Sequence, residues 1–147
     1  MKVLVTGAAG FIGGQLCHAL WKRGDTVIGI DNFSYGNLDN LHFDDHDFTA
    51  DVLRMDIRDR EKLPALFEQE HFDVVYNIAG IAPLPDCQSD PVEAVSVNTM
   101  GLVNLLELCR RTGVKHLVQA STNAMYENET AFPTVEDKFH PPPRGAP

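Results

Sequence analysis

The 147 residues predict an α/β fold, a doubly wound parallel sheet of about five strands with helices on both faces. Three observations point there. Short β-branched and apolar runs alternate with segments of helical periodicity. Such alternation needs crossover connections, which are right-handed in nearly all known cases and lay helices over a parallel sheet. A glycine-rich turn also joins the first strand to the first helix. At 44% hydrophobic and 22% charged residues, the chain has the composition of one domain with a real core; a chain of about 150 residues buries roughly 70% of its unfolded surface. No internal repeat or linker interrupts it.

Each element has its own signal. Lys2–Thr6, KVLVT, is a buried strand by length and β-branching, stopped by Gly7. Ile12, Leu16 and Leu20 then recur every four residues, with Trp21 beside them, until Arg23-Gly24 closes a helix of about three turns. Residues 26–30, TVIGI, form the second strand and end at Asp31. Residues 32–47 are loop-like, with one helical turn near 38–41, and a third strand is expected within 49–55. Asp59 reads as the N-cap of a short helix carrying Leu63, Leu66 and Phe67 on one face, with Pro64 tolerated in its first turns. Residues 73–77, DVVYN, give strand four. After the loop IAPLPDCQSDP comes the longest periodic helix, 91–111, with Val95, Leu102, Leu105, Leu106 and Cys109 expected inward. HLVQ at 116–119 is strand five, and from Ala120 the chain reads as irregular.

Charge and composition exclude several functions. A net charge of −9 and a sequence pI near 4.9 give no electrostatic footprint for phosphate backbones, so no nucleic-acid partner is expected. The charge is concentrated: residues 31–73 hold 12 of the 21 acids and only four bases, a pattern of solvated surface. The longest weakly polar stretch, 74–85, falls short of the roughly 20 apolar residues of a membrane span, and no membrane partner is expected. The N-terminus lacks a signal-peptide pattern and Cys17, Cys87 and Cys109 form no CxxC pair, so the expected location is cytoplasmic. His42, Asp44, Asp45, His46 and Asp47 are crowded together, but their close spacing without a scaffold reads as a solvated loop, and no metal is expected.

The sharpest feature is Thr6-Gly7-Ala8-Ala9-Gly10-Phe11-Ile12-Gly13, placed where a strand turns into a helix. Gly7 permits the tight turn, Gly10 lets backbone approach a pyrophosphate, and Gly13 lets helix and sheet pack closely. The free amides and positive dipole end of the helix favour an anion. Asp31 ends the second strand 24 residues after Gly7, where a carboxylate accepts hydrogen bonds from adenosine ribose hydroxyls and repels a 2′-phosphate. Together they predict a Rossmann-type site for NAD rather than NADP.

TGAAGFIG resembles the signature of the extended short-chain dehydrogenase/reductases, in particular the NAD-dependent nucleotide-sugar epimerases and dehydratases. The similarity runs from residue 1 to about 137, with further motifs in family order. It implies that Gly7, Gly10, Phe11, Ile12 and Gly13 hold the pyrophosphate. Asp31, Asn32, Phe33, Ser34, Tyr35 and Gly36 resemble the adenosine-ribose loop, and Asp56 with Ile57 resembles the segment that holds adenine. Ile78, Ala79, Gly80 and Ala82 follow strand four, where the family lines the pyrophosphate and nicotinamide ribose. Asn98, ahead of Gly101 and LVNLLELCR, matches the long-helix pattern beneath the active site, and Ser121 and Thr122 belong to the segment after strand five.

The resemblance also implies a chemistry. Family members oxidise a sugar alcohol transiently, with a tyrosine as base, kept partly ionised by a lysine one helical turn away. Thr122 aligns with the hydroxyl residue that positions the reacting oxygen. None of the three tyrosines has the lysine: four positions after Tyr35, Tyr76 and Tyr126 stand Asp39, Gly80 and Thr130. Projected from Thr122, the pair falls at about position 147, the end of the chain. The expectation is therefore an incomplete domain truncated after about five strands, lacking the catalytic helix and the sugar-binding part, and inactive alone. The alternative is a non-catalytic dinucleotide-binding or sensor module. The implied partners are a nucleotide sugar, UDP-linked, and a second copy of the chain through the 91–111 helix.

Overall fold

The computed structural model describes residues 1–122 together with Tyr126 and Val135. The remainder of the motif after strand five, residues 123–125, and the proline-rich tail lie outside the described residues. In chain order the elements are β1 (Lys2–Thr6), α1 (Phe11–Lys22), β2 (Thr26–Asp31), a hairpin of β3 (His42–Phe43) and β4 (His46–Asp47), and β5 (Val52–Arg54). There follow α2 (Lys62–Glu70), β6 (Val74–Asn77), α3 (Leu84–Ser89), α4 (Pro91–Val95), a π-helical turn (Ser96–Gly101), α5 (Leu102–Thr112) and β7 (His116–Gln119). Five of the strands form one parallel sheet in the order β5-β2-β1-β6-β7. The winding reverses at β1: the chain runs outward through β2 to β5, then returns to add β6 and β7 on the other side.

Each central strand divides its side chains by parity between two cores, as a strand with period two must. Leu4, Ile30 and Val75 face a core shared with Leu63, Leu66 and Phe67 of α2 and Leu105 and Leu108 of α5. Val3, Val5, Val27 and Val74 face the opposite core with Cys17 and Leu20 of α1, Leu41 and Phe48. The predicted doubly wound architecture is therefore observed. Burial holds the Cys17 thiol up at about 12 and that of Cys109 up at about 11, so both are protonated packing groups.

Three local expectations change. On α1 the inward residues are Gly13, Gly14, Cys17 and Leu20, while Ile12 is exposed. The two glycines allow this: a Cβ at Gly14 would lie 2.2 Å from the Asn40 carbonyl oxygen, so helix and 38–41 turn meet backbone to backbone. The third strand is shorter than 49–55, because Asp47 caps a 3-10 turn over Phe48–Ala50 before β5 begins. On the long helix Val95 and Leu106 face outward, and Val97 and Leu108 take inward places instead. The π-helical turn inserts an extra residue between Val95 and Leu102 and rotates their shared face apart. The loop ahead of that helix also contains α3, and Asp90 caps α4 by accepting from the Glu93 amide. Helix Pro91–Thr112 is long and apolar enough, by length and composition, to cross a membrane, which the hydropathy reading of the sequence missed; its inward side packs on the sheet.

The acidic 42–51 region packs against α1 through aromatic and imidazole rings. His18 stacks on Phe43 at 4.0 Å and Trp21 on His46 at 4.4 Å. Asp45 accepts from Lys22 and meets His18, and Asp51 meets His46, so much of this charge is locally paired.

Candidate functional site

The point where the winding reverses leaves a crevice at the carboxyl ends of β2, β1 and β6, the place where open α/β sheets bind ligands. It encloses about 650 Å³, within the range of about 300–1,000 Å³ for ligand sites.

Its first wall is the glycine turn. Gly7 has φ +67°, which a side chain strains to adopt, and a Cβ at Gly13 would lie 2.0 Å from the Gly7 carbonyl oxygen. The helix thus starts directly against the turn. Gly10 caps α1 without a side-chain bond, and the first turn contains no acidic residue. The amides of Phe11, Ile12 and Gly13 have no carbonyl in their own helix to donate to, and all three residues line the crevice. Asp31 closes this wall from β2. Its carboxylate is buried and accepts from the Ala9 amide at 2.9 Å and the Phe33 amide at 2.7 Å, while Gly36 packs so tightly on it that a Cβ would come within 2.8 Å of Oδ1.

The loop after β2 brings Asn32, Ser34, Tyr35 and Gly36 to the crevice but turns Phe33 away. Consecutive Asx turns, Asp31 to the Phe33 amide and Asn32 to the Ser34 amide, force Phe33 to φ +61°. Its ring joins the α1-side core, with the Arg54 guanidinium 5.4 Å from the ring centroid. The expectation that Phe33 lines the site is corrected accordingly. Asp56 and Ile57 do line it. Arg58 donates from Nε and a terminal nitrogen to the Asp56 carboxylate and from its other terminal nitrogen to Glu93 at 2.7 Å. That guanidinium holds the Asp56 carboxyl at about 2, helped by the Arg58 amide and Asn32.

The second wall, Ile78, Ala79, Gly80 and Ile81, is shaped by side chains remote in sequence. The Thr6 hydroxyl, fully buried, donates to Asn77 Oδ1 at 2.5 Å and accepts from the Ala79 amide at 3.1 Å; Asn77 donates onward to Gln119 Oε1 at 2.7 Å. This chain ties the ends of β1, β6 and β7 together. Asn98, in the π-helical turn, accepts from the Ile81 amide at 2.8 Å and donates to the Ile81 carbonyl at 2.9 Å. Asn98 therefore lies behind the lining, at one remove from the crevice, and acts on it through Ile81. Ala82 and Ser121 also lie outside the lining, as does Thr122; Ser121 and Thr122 are exposed just beyond β7.

Ile81, within the segment after strand four, also lines the crevice; Ile30, Met55, Glu93 and Val97 complete the lining and were not singled out from the sequence. Thr6 and Asn77 were missed as well, although two polar residues ending otherwise apolar strands were a usable signal. Among the described residues, the crevice lining contains no Lys or Arg; its charged groups are Asp31, Asp56 and Glu93. Among these lining residues, what can receive an anion is the amides and positive end of α1, close to a buried carboxylate. Amides without an acceptor in their own helix and the space the glycines leave fit a dinucleotide with an unsubstituted ribose.

Comparison with known proteins agrees with this geometry. Residues 3–146 match the model of the NAD dependent epimerase/dehydratase family. The chain belongs to that family. Among curated members it is 35% identical over 138 residues to UDP-glucose 4-epimerase of Mycolicibacterium smegmatis, covering 93% of this chain and 44% of that protein. It is 36% identical over 138 residues to UDP-glucuronic acid decarboxylase 2 of Arabidopsis thaliana, covering 92% and 29%. The crystal structure of Thermus thermophilus UDP-glucose 4-epimerase in complex with NAD superposes with a TM-score of 0.83 at 36% identity, covering 97% of this chain and 45% of that one. This member of the epimerase/dehydratase family thus spans less than half the length of these relatives.

Proposed function

We propose that the crevice binds NAD and that this chain supplies the cofactor-binding half of a nucleotide-sugar epimerase or dehydratase, acting on a UDP-linked sugar. The observation that carries the reading is the amide-only cradle of Phe11, Ile12 and Gly13 beside the buried Asp31 carboxylate. In this reading the amides receive the pyrophosphate, Asp31 accepts from the ribose hydroxyls, and Asn32, Ser34, Tyr35 and Gly36 enclose that ribose. Asp56, kept ionised by Arg58, accepts from the adenine amino group beside Ile57. Ile78, Ala79 and Gly80, fixed by Thr6, Asn77 and Asn98, set the floor on the nicotinamide side, and Thr122 orients the reacting sugar hydroxyl. The chemistry that NAD supplies when bound is reversible hydride transfer with a sugar carbon. Membership of the epimerase/dehydratase family favours this reading over a sensor module.

The base that the family resemblance implies, a Tyr-x-x-x-Lys pair, does not occur in the 147 residues. We propose that the chain binds NAD but does not turn over sugar by itself. NADH binding followed by fluorescence, together with a UDP-galactose assay on protein verified by intact mass, tests both parts. NADH binding without epimerisation is expected; robust epimerisation by the verified 16.3 kDa species contradicts the requirement for the absent pair. Self-association through the long helix belongs to the same reading. It is supported by the exposed stripe of Val92, Val95, Met100, Val103 and Leu106, which leaves apolar surface for a second copy. Sedimentation should give a dimer that Val103→Glu dissociates; a wild-type monomer contradicts it.

A further inference from the structure

We propose that Tyr35 and Asp86 form a latch across the crevice that sets how fast the cofactor enters and leaves. The Tyr35 hydroxyl donates to Asp86 Oδ2 at 2.7 Å, across 51 residues of sequence. Tyr35 belongs to the loop after β2, and Asp86 to α3, which follows β6. Those strands flank β1 on opposite sides, so the bond spans the crevice above the glycine turn.

Both ends of the span are anchored. On one side Asp31 and Asn32 hold the Phe33 and Ser34 amides, and the Asn37 amide donates to the Ala9 carbonyl. On the other, the Cys87 thiol donates to the Ile81 carbonyl, and the Asp90 amide donates to the Asp86 carbonyl as α3 gives way to α4. The middle is not anchored: Tyr35 is 59% exposed and lines the crevice, whereas Asp86 is outside the lining. Water competes for such a bond, so it opens and recloses, and it is a gate rather than a fixed strut. The neighbouring carboxylate also raises the phenol above its ordinary range, which keeps the donor protonated.

The latch rests on the cofactor reading above, and its kinetics distinguish it from a structural contact. Because the bond spans the crevice, it must open for entry as well as exit. Removing it speeds both steps and leaves Kd nearly unchanged, whereas losing a bond that only shapes the loop raises Kd through faster release. Stopped-flow NADH fluorescence on the full chain gives association directly and release by chasing with excess NAD. Asp86→Ala, at a residue outside the crevice lining, removes the acceptor with a good helix former. It should raise both rates about three- to tenfold with Kd nearly unchanged, as loss of one exposed hydrogen bond to a carboxylate allows. Tyr35→Phe serves only to close the cycle: added to Asp86→Ala it should leave the two rates, taken relative to that single variant's, unchanged, since both substitutions remove the same bond. Wild-type rates in Asp86→Ala, a raised Kd with unchanged association in that variant, or a further rise of both rates in the double variant overturn the latch. If the wild-type chain binds no NADH, the cofactor reading fails and the latch with it; NADH binding with unaltered kinetics sinks the latch alone.

Discussion

The two walls of the crevice are built by opposite means. The β1–α1 wall is defined by atoms that are missing: at Gly7 a Cβ would lie 2.8 Å from the Ala79 amide nitrogen, and at Gly13 it would lie 2.0 Å from the Gly7 oxygen. The β6 wall is defined by atoms that are present, the amide side chains of Asn77 and Asn98 and the hydroxyl of Thr6, each reaching over a long stretch of sequence. One wall should fail when a methyl group is added, and the other when a polar group is taken away.

Gly13→Ala is the severest test. Its methyl group meets backbone on a buried helix start and cannot be relieved by a rotamer change. We expect about 3 kcal/mol or more of lost stability and at least a 100-fold loss of NAD binding, read by urea unfolding and calorimetry. Unchanged binding would show that helix and turn can separate freely. Asn77→Ala strips the second wall of its central amide, leaving the buried Thr6 hydroxyl without its acceptor. That should cost about 2–3 kcal/mol, a fall in Tm of roughly 5–10 °C by circular dichroism.

Asn98→Ala sharpens the contrast further, because Asn98 is solvent-exposed yet grips both backbone groups of Ile81. Its loss should raise the NAD Kd about tenfold, or about 1.4 kcal/mol, with Tm nearly unchanged. A large Tm loss with normal NAD affinity would make it a stability residue only. A smaller effect concerns Asp56. The Asp56 carboxyl is lowered from 3.8 to about 2, chiefly by Arg58. A depressed carboxylate contributes stability that is fully present above its unfolded value and is lost as pH falls through the folded one. Urea midpoints of the wild type should therefore fall between pH 4 and pH 2, and Arg58→Met should flatten that portion of the profile. An identical slope in both proteins would show that the pair is energetically idle.

The same division decides what could be read from the sequence. The turn from Gly7 to Gly13 and the Asp31 that closes it were legible because their constraints are local: a helix start, a positive φ, a strand end. Thr6 and Asn77 stand out only as polar residues ending apolar strands, and neither shows that its partner lies 71 positions away at the end of an adjacent strand. Asn98 was legible as a residue beneath the site, but its spacing says nothing about Ile81, the residue through which it acts on the crevice. Nothing in the local sequence shows the two successive Asx turns that turn Phe33 from the crevice, or the π-helical turn that leaves Val95 facing outward. The alternation of strands and helices was legible because short β-branched runs and helical periodicity are its direct signals.

The central claim is that an amide cradle without cations, beside a buried carboxylate, selects NAD. Parallel calorimetric titrations of the wild-type chain and Asp31→Ala with NAD and NADP test it most directly. The wild type should prefer NAD by at least about tenfold, or about 1.4 kcal/mol, and Asp31→Ala should lose most of that preference. Equal wild-type affinity for the two dinucleotides, or a preference that survives removal of Asp31, would contradict the account.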